Sequence, residues 1–249
     1  MNTPPCSDMI FLSYLDRIHL RIIFIRVNGM NLFDILGPVM VGPSSSHTAG
    51  AVRIGRMARR LLGEKTPVMA NIALSGSFAA TGRGHGTDRA IVAGLLGMHP
   101  DDSRIPDSFE IAAWRGLEFS FENRELRSAH PNTAKIKLYA ESGRTLEITA
   151  ASLGGGRIEV RELAGMPMRF TADKPTLIIS NDDKPGSIAG VSEVLSREHI
   201  NIATFNVNRS SRGGRAIMVI ECDSPVSAEA LKHIADSPGI LTAAFIDPD

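Results

Sequence analysis

The last 75 residues constrain folding most, because their apolar periodicity switches between strand and helix on a regular schedule. Thr176 to Ser180 alternates as a strand and Gly186 to Arg197 repeats as a helix; Asn201 to Arg209 and Arg215 to Cys222 read as strands, Ser227 to Ala235 as a helix, and Leu241 to Ile246 as a last strand. The order is βαββαβ. The turn Ser210-Ser211-Arg212-Gly213-Gly214 joins the two central strands as a hairpin, and both helices then cover one face of a ferredoxin-like sheet. A module of this size buries little apolar surface on its own, so pairing with a second copy of the chain is expected. A polar link, residues 169–174, sets this 175–249 domain apart from what precedes it.

Residues 30–168 carry a different, α+β pattern. Between Ala49 and Leu62, Ile54, Ala58, Leu61 and Leu62 share one helical face, while Arg53, Arg56 and Arg60 share another. Val68, Ala70, Ile72 and Leu74 alternate as on a strand. A glycine-rich turn containing Gly82, Gly84 and Gly86 follows and leads into a helix from about Asp88 to Leu96, which places His85 on a loop at a helix N-terminus. After a link rich in Pro and Asp, strands are predicted over Leu117 to Glu122, Ala134 to Glu141, Thr145 to Leu153 and Arg157 to Leu163.

The first 29 residues do not share this character. Asp16, Arg17, His19, Arg21 and Arg26 interrupt the apolar run Met9 to Val27 too often for a membrane span, and it has no clean signal-peptide core. It reads as a poorly structured or artefactual extension, and the chain as cytoplasmic. The 27 basic residues balance the 27 acidic ones, so no global field would gather nucleic acid or an anionic membrane.

Three histidine-bearing motifs stand out in the first domain. In Ser44-Ser45-Ser46-His47-Thr48, three hydroxyls and an imidazole precede a helix whose free N–H groups and dipole favour an anion such as a carboxylate. One N-cap side chain would satisfy the helix, and this motif supplies more. In Gly84-His85-Gly86-Thr87-Asp88, glycines allow close backbone approach, and an imidazole is suited to taking a proton near neutral pH. The P-loop lysine that would make this a phosphate cradle is missing. His130-Pro131-Asn132-Thr133 is weaker alone and gains weight from the other two. Gly154-Gly155-Gly156 marks either close approach to a ligand or a bend. The three histidines lack His-x-x-x-His spacing, which argues against a zinc site.

In the second domain, Asp182-Asp183-Lys184-Pro185-Gly186 links the first strand to the first helix, where exposed helix N–H groups suit either a small amino acid or a simple capped turn. Cys6 and Cys222 are too few to hold an iron–sulfur cluster.

Through Phe33-Asp34-Ile35-Leu36-Gly37-Pro38, Gly42-Pro43-Ser44-Ser45-Ser46-His47-Thr48, Gly82 to Asp88, His130-Pro131-Asn132 and Gly154-Gly155-Gly156, residues 30–249 resemble the β chains of iron–sulfur-dependent L-serine dehydratases. The C-terminal module resembles an ACT domain, and Asp183-Lys184-Pro185-Gly186 matches its first loop. The resemblance implies a first domain of the allosteric substrate-binding kind, an α subunit that ligates a [4Fe-4S] cluster, L-serine as substrate, and no metal ligand in this chain. By the same resemblance His85 takes the α-proton, while Ser44, Ser45, Ser46, His47, Thr48, His130 and Asn132 hold the substrate. The ACT domain would bind an amino acid or join copies of the chain. Two other functions fit the motifs: a serine-sensing regulatory subunit without catalytic residues, and a stand-alone metabolite-binding protein acting through its ACT module.

Overall fold

A computed structural model describes residues 39–248, apart from 64–65 and 127–128. The expected N-terminal extension, Cys6 and the segment Phe33 to Pro38 lie outside the described residues.

The Ser44 motif enters a helix of unusual geometry. Ser45–Gly50 forms a π-helical turn that runs directly into α1, Ala51–Leu62. Extra π turns widen the helix and are common at functional sites. The apolar face expected of α1 is its buried face, with Ile54, Ala58 and Leu62 nearly inaccessible, and Gly63 closes it in the left-handed conformation. β1 spans Met69–Gly76, α2 Ser77–His85 and α3 Thr87–Leu95; a short 3-10 turn, Ile105–Asp107, leads into α4, Ser108–Trp114.

The glycine-rich stretch corrects the sequence reading. Gly82 and Gly84 lie inside α2, His85 is its last residue, and only Gly86 adopts the left-handed turn before α3. Phe78, fully buried, anchors α2 on the sheet, so tertiary packing overrides the poor helix propensity of two glycines. Helix α4, also absent from the sequence reading, occupies part of the Pro- and Asp-containing link.

Strands β2 (Glu118–Asn123), β3 (Asn132–Tyr139), β4 (Thr145–Gly154), β5 (Arg157–Leu163) and β6 (Met166–Phe170) complete a six-stranded sheet in the order β2-β1-β3-β4-β5-β6. Only β1 and β2 run parallel. β6 was not anticipated, and it continues into the first two residues of the expected link. Ile72, Ile136, Leu138, Ile148 and Val160 point from the sheet into an apolar core shared with α1, α2 and α3. Two glycines set the closeness of α1 and α3. A Cβ on Gly55 would stand 2.2 Å from the Ile91 carbonyl oxygen, and one on Gly94 would stand 2.1 Å from that of Val52.

The second domain has the expected order: β7 (Thr176–Asp182), α5 (Ser187–Arg197), β8 (Ile202–Arg209), β9 (Arg215–Cys222), α6 (Ala228–Ala235) and β10 (Ile240–Ile246). Its antiparallel sheet runs β10-β7-β9-β8. Alternation along β7 and β9 divides their side chains between two cores. Leu177, Ile179, Met218, Ile220 and Cys222 pack with α5 and α6 through Val191, Leu195, Ala230 and Ile234. Ile178, Ile217 and Val219, with Ile246 of β10, join the core of the first domain instead. The small module thus gains burial from its own chain, and the described residues form one compact unit. Among the described residues no helix is long and apolar enough to cross a membrane.

Candidate active site

The first two histidine motifs meet where the π turn before α1 abuts α2. Ser44 caps the turn, its Oγ accepting the His47 backbone N–H at 3.1 Å. The wider turn directs the His47 ring toward α2. There Nε2 lies 3.1 Å from Ser77 Oγ and 3.2 Å from Thr81 Oγ1, and Nδ1 lies 3.4 Å from Ser44 Oγ. His47 is half-buried edge-on against Phe78, with ring centroids 5.3 Å apart. Its pKa is lowered, first by loss of solvent and second by the charge of His85, against a smaller opposing effect of the Ser77 hydrogen bond. The neutral ring is therefore favoured.

His85 comes from the other end of α2 and is exposed. Its ring centroid is 4.9 Å from that of His47, and Nδ1 donates to the Thr81 carbonyl at 3.1 Å. A carbonyl oxygen only accepts, so the proton of a neutral His85 sits on Nδ1 and the lone pair on Nε2.

The third motif reaches the site through the backbone. Asn132 pairs with Gly76 across β3 and β1, and the Pro131 carbonyl accepts the Phe78 N–H at 3.4 Å, in the first turn of α2. Gly76, at φ 60°, makes this approach possible, since a Cβ there would lie 2.5 Å from the Pro131 oxygen. His130 Nδ1 accepts the Asn132 N–H at 3.2 Å, and Thr133 Oγ1 donates to the His130 carbonyl at 2.7 Å. Asn132 Oδ1 is buried without a hydrogen-bond partner among the described residues. A buried carbonyl oxygen left in this state is costly, and a donor from a ligand would relieve it.

The remaining expected residues separate. Ser45 and Ser46 are partly exposed on the π turn, and Ser46 Oγ lies 3.7 Å from the Cβ position of Gly154. The triple glycine is therefore a left-handed bend packed under the serine motif, with all three φ angles positive. Thr48 is buried and faces Gly42, and its Oγ1, like Asn132 Oδ1, has no hydrogen-bond partner among the described residues.

Two residues escaped the sequence reading. Ser77 and Thr81 stand eight and four positions before His85, so once the segment is helical all three share a face. That spacing was a usable signal, hidden because the glycines suggested a turn. Beside this face lies a cleft of about 560 Å³, lined by Phe78, Thr81, Gly84, Asp88, Phe109 and Phe121 among others.

Of the Asp182 to Gly186 loop, Lys184, Pro185 and Gly186 form one wall of a second-domain cleft of about 390 Å³, opposite Ser237, Pro238 and Gly239, while Asp182 and Asp183 do not line it. Asp183 is turned inward to its own chain. Its carboxylate accepts the Gly213 N–H at 2.9 Å and Arg209 Nη1 at 3.1 Å, and these two bonds hold its pKa below the usual carboxylate range. Lys184 pairs with Asp182 at 2.9 Å. Cys222 is buried in the second-domain core, and burial pushes its thiol pKa up, which opposes the thiolate a metal needs. No group of three His, Cys, Asp or Glu among the described residues is placed to hold a metal ion. Among the described residues the donor set therefore does not fit a [4Fe-4S] cluster.

Fold and site together define a two-domain protein, with a serine- and histidine-lined α+β domain joined to a ferredoxin-like module. The family described as "Serine dehydratase beta chain" matches residues 31–115, and "ACT domain" matches residues 176–240. The chain is 44% identical to the "Probable L-serine dehydratase, beta chain" of Bacillus subtilis, over 87% of this chain and 97% of that protein. It is 34% identical to the "L-serine dehydratase, beta chain" of Peptoniphilus asaccharolyticus, over 86% of this chain and 97% of that one. The "L-serine dehydratase" of Streptomyces coelicolor is a longer relative, 33% identical over 55% of this chain but only 35% of its own length. The chain belongs to the L-serine dehydratase β-chain family.

Proposed function

We propose that this chain is the β subunit of an L-serine dehydratase and converts L-serine to pyruvate and ammonia together with an α subunit. The observation that carries this reading is the exposed His85, whose Nε2 is the one imidazole nitrogen of the His47–His85 pair without a hydrogen-bond partner among the described residues. A base left open in this way needs a facing surface to exclude water, and the longer Streptomyces relative supports such a second part. The [4Fe-4S] cluster belongs to that α subunit in this reading. When bound it supplies Lewis acidity toward the substrate.

The residues of this chain then divide the work. Ser44, Ser45 and Ser46 on the π turn, with neutral His47, Asn132 and His130, hold the carboxylate and amino groups of serine. Substrate donors satisfy the bare Asn132 oxygen. His85 Nε2 takes the α-proton as the Cα–H bond breaks, its electrons form the Cα–Cβ double bond, and the β-hydroxyl leaves as water after protonation. The aminoacrylate released tautomerises to an imine, which water hydrolyses to pyruvate and ammonia. A positioned general base contributes about 10²–10⁴-fold. The ACT module binds an amino acid at the Lys184 to Gly186 cleft or joins copies of the chain, and its long exposed edge strand β8 supports the second role.

The test is His85→Asn in the pair reconstituted with its α chain under anaerobic conditions. Pyruvate formation should drop by at least about 100-fold while co-purification persists. Near-wild-type pyruvate formation would remove His85 from the base role.

A further inference from the structure

The hydrogen bonds around Thr81 constrain where the protons of this cluster lie. Thr81 Oγ1 has one proton and lies 3.0 Å from the Ser77 carbonyl oxygen, four residues back on α2. That oxygen only accepts, so in this bond, the shorter of the two, the Thr81 hydroxyl is the donor. The same Oγ1, 3.2 Å from His47 Nε2, must then accept from the ring. A neutral His47 consequently carries its proton on Nε2 and its lone pair on Nδ1, where the Ser44 hydroxyl lies 3.4 Å away as donor. Nε2–H also faces Ser77 Oγ at 3.1 Å, and the Ser77 hydroxyl, which then accepts from the ring, has Thr81 Oγ1 at 3.5 Å as an acceptor for its own proton. At the other end of the residue, the Thr81 carbonyl accepts Nδ1–H of His85 at 3.1 Å.

We infer that Thr81 is a positioning residue that locks the two histidines in opposite tautomers, its hydroxyl holding His47 as Nε2–H and its carbonyl holding His85 as Nδ1–H. This rests on the reading of His85 as the base and explains why the neighbouring imidazole does not compete with it. His47 turns its only lone pair back toward the capping Ser44, and His85 turns its own outward. Two neighbouring imidazoles in the same tautomer would offer the substrate two interchangeable bases. Complementary tautomers leave one base and one fixed donor. Partial burial and the charge of His85, which keep His47 neutral, are consistent with this arrangement.

The experiment is histidine-selective ¹⁵N NMR of the full chain at a pH where both rings are neutral, paired with steady-state kinetics of the reconstituted enzyme. In the native chain the ¹⁵N shifts should show Nε2–H for His47 and Nδ1–H for His85. Thr81→Val, nearly isosteric, should shift His47 toward a tautomer mixture and leave His85 unchanged, because the carbonyl stays in place. It should also lower kcat by about 10–100-fold, the size of a positioning defect. Thr81→Ser should restore both the spectrum and kcat. Native His85 in the Nε2–H form, an unaltered His47 spectrum in Thr81→Val, or failure of serine to rescue would each overturn the inference. The spectra are read without turnover, so they stand apart from the fate of His85→Asn in the assay.

Discussion

His47 and His85 lie with ring centroids 4.9 Å apart and planes inclined by 37°. One ring is half-buried and hydrogen-bonded through both nitrogens; the other is exposed and bonded through Nδ1. Two residues of the same type, 38 positions apart, thus acquire different chemistry from their surroundings.

That relationship has a pH signature. Burial first, and the charge of His85 second, lower the pKa of His47. The unfolded chain takes up this proton near the ordinary value of about 6.5, before the folded chain does. Stability from His47 is therefore complete above about pH 6.5 and is lost as pH falls from there through the lower folded pKa. An NMR titration should place the His47 midpoint below about 6.5 and move it upward in His85→Ala, which removes the like charge. A native midpoint at or above the ordinary value would contradict the geometry.

The α1–α3 crossing predicts opposite outcomes for glycines of one domain. Gly94→Val forces a side chain into the Val52 carbonyl and the backbone at Gly55, and should cost about 1–3 kcal/mol in chemical denaturation. Gly84 lies in α2 with open space where a Cβ would stand, so Gly84→Ala should stabilise by roughly 0.5–1 kcal/mol. Equal effects of the two substitutions would show that the helix contact is not limiting.

Lys135 bridges Glu147 at 2.8 Å and Glu162 at 3.1 Å, across β3 to β4 and β5, and the two carboxylates raise its pKa. Lys135→Met should cost about 1 kcal/mol at low ionic strength, because it leaves two like charges as neighbours. The loss should shrink as salt is raised. A salt-independent loss would point to packing of the lysine stem instead.

In the second domain, Asp183 tethers the first loop to the β8–β9 hairpin through Gly213 and Arg209. Asp183→Asn should weaken both bonds and speed hydrogen exchange at the Gly213 amide, with no change at the buried amides of β9. If exchange at Gly213 is unaffected, the hairpin holds its shape without the carboxylate.

The β7–β10 module was legible because its strands and helices are short, alternate strictly and are bounded by turn residues. The buried stripe of α1 was legible for the same reason, from the spacing of Ile54, Ala58, Leu61 and Leu62. Local composition misled at Gly82 to His85, where helix forms because Phe78 is buried.

What the sequence determined by itself was the residue chemistry: the hydroxyls, the imidazoles, two cysteines too few for a cluster, and the periodicities that select the elements. Only tertiary structure decided which of these meet. It turned Thr48 inward, aligned Ser77, Thr81 and His85 along one helix face, and carried Ile178, Ile217 and Val219 into the core of the first domain. The physical reason is that hydrophobic burial and backbone hydrogen bonding are satisfied over the whole molecule, so a side chain's partners depend on elements far away in sequence.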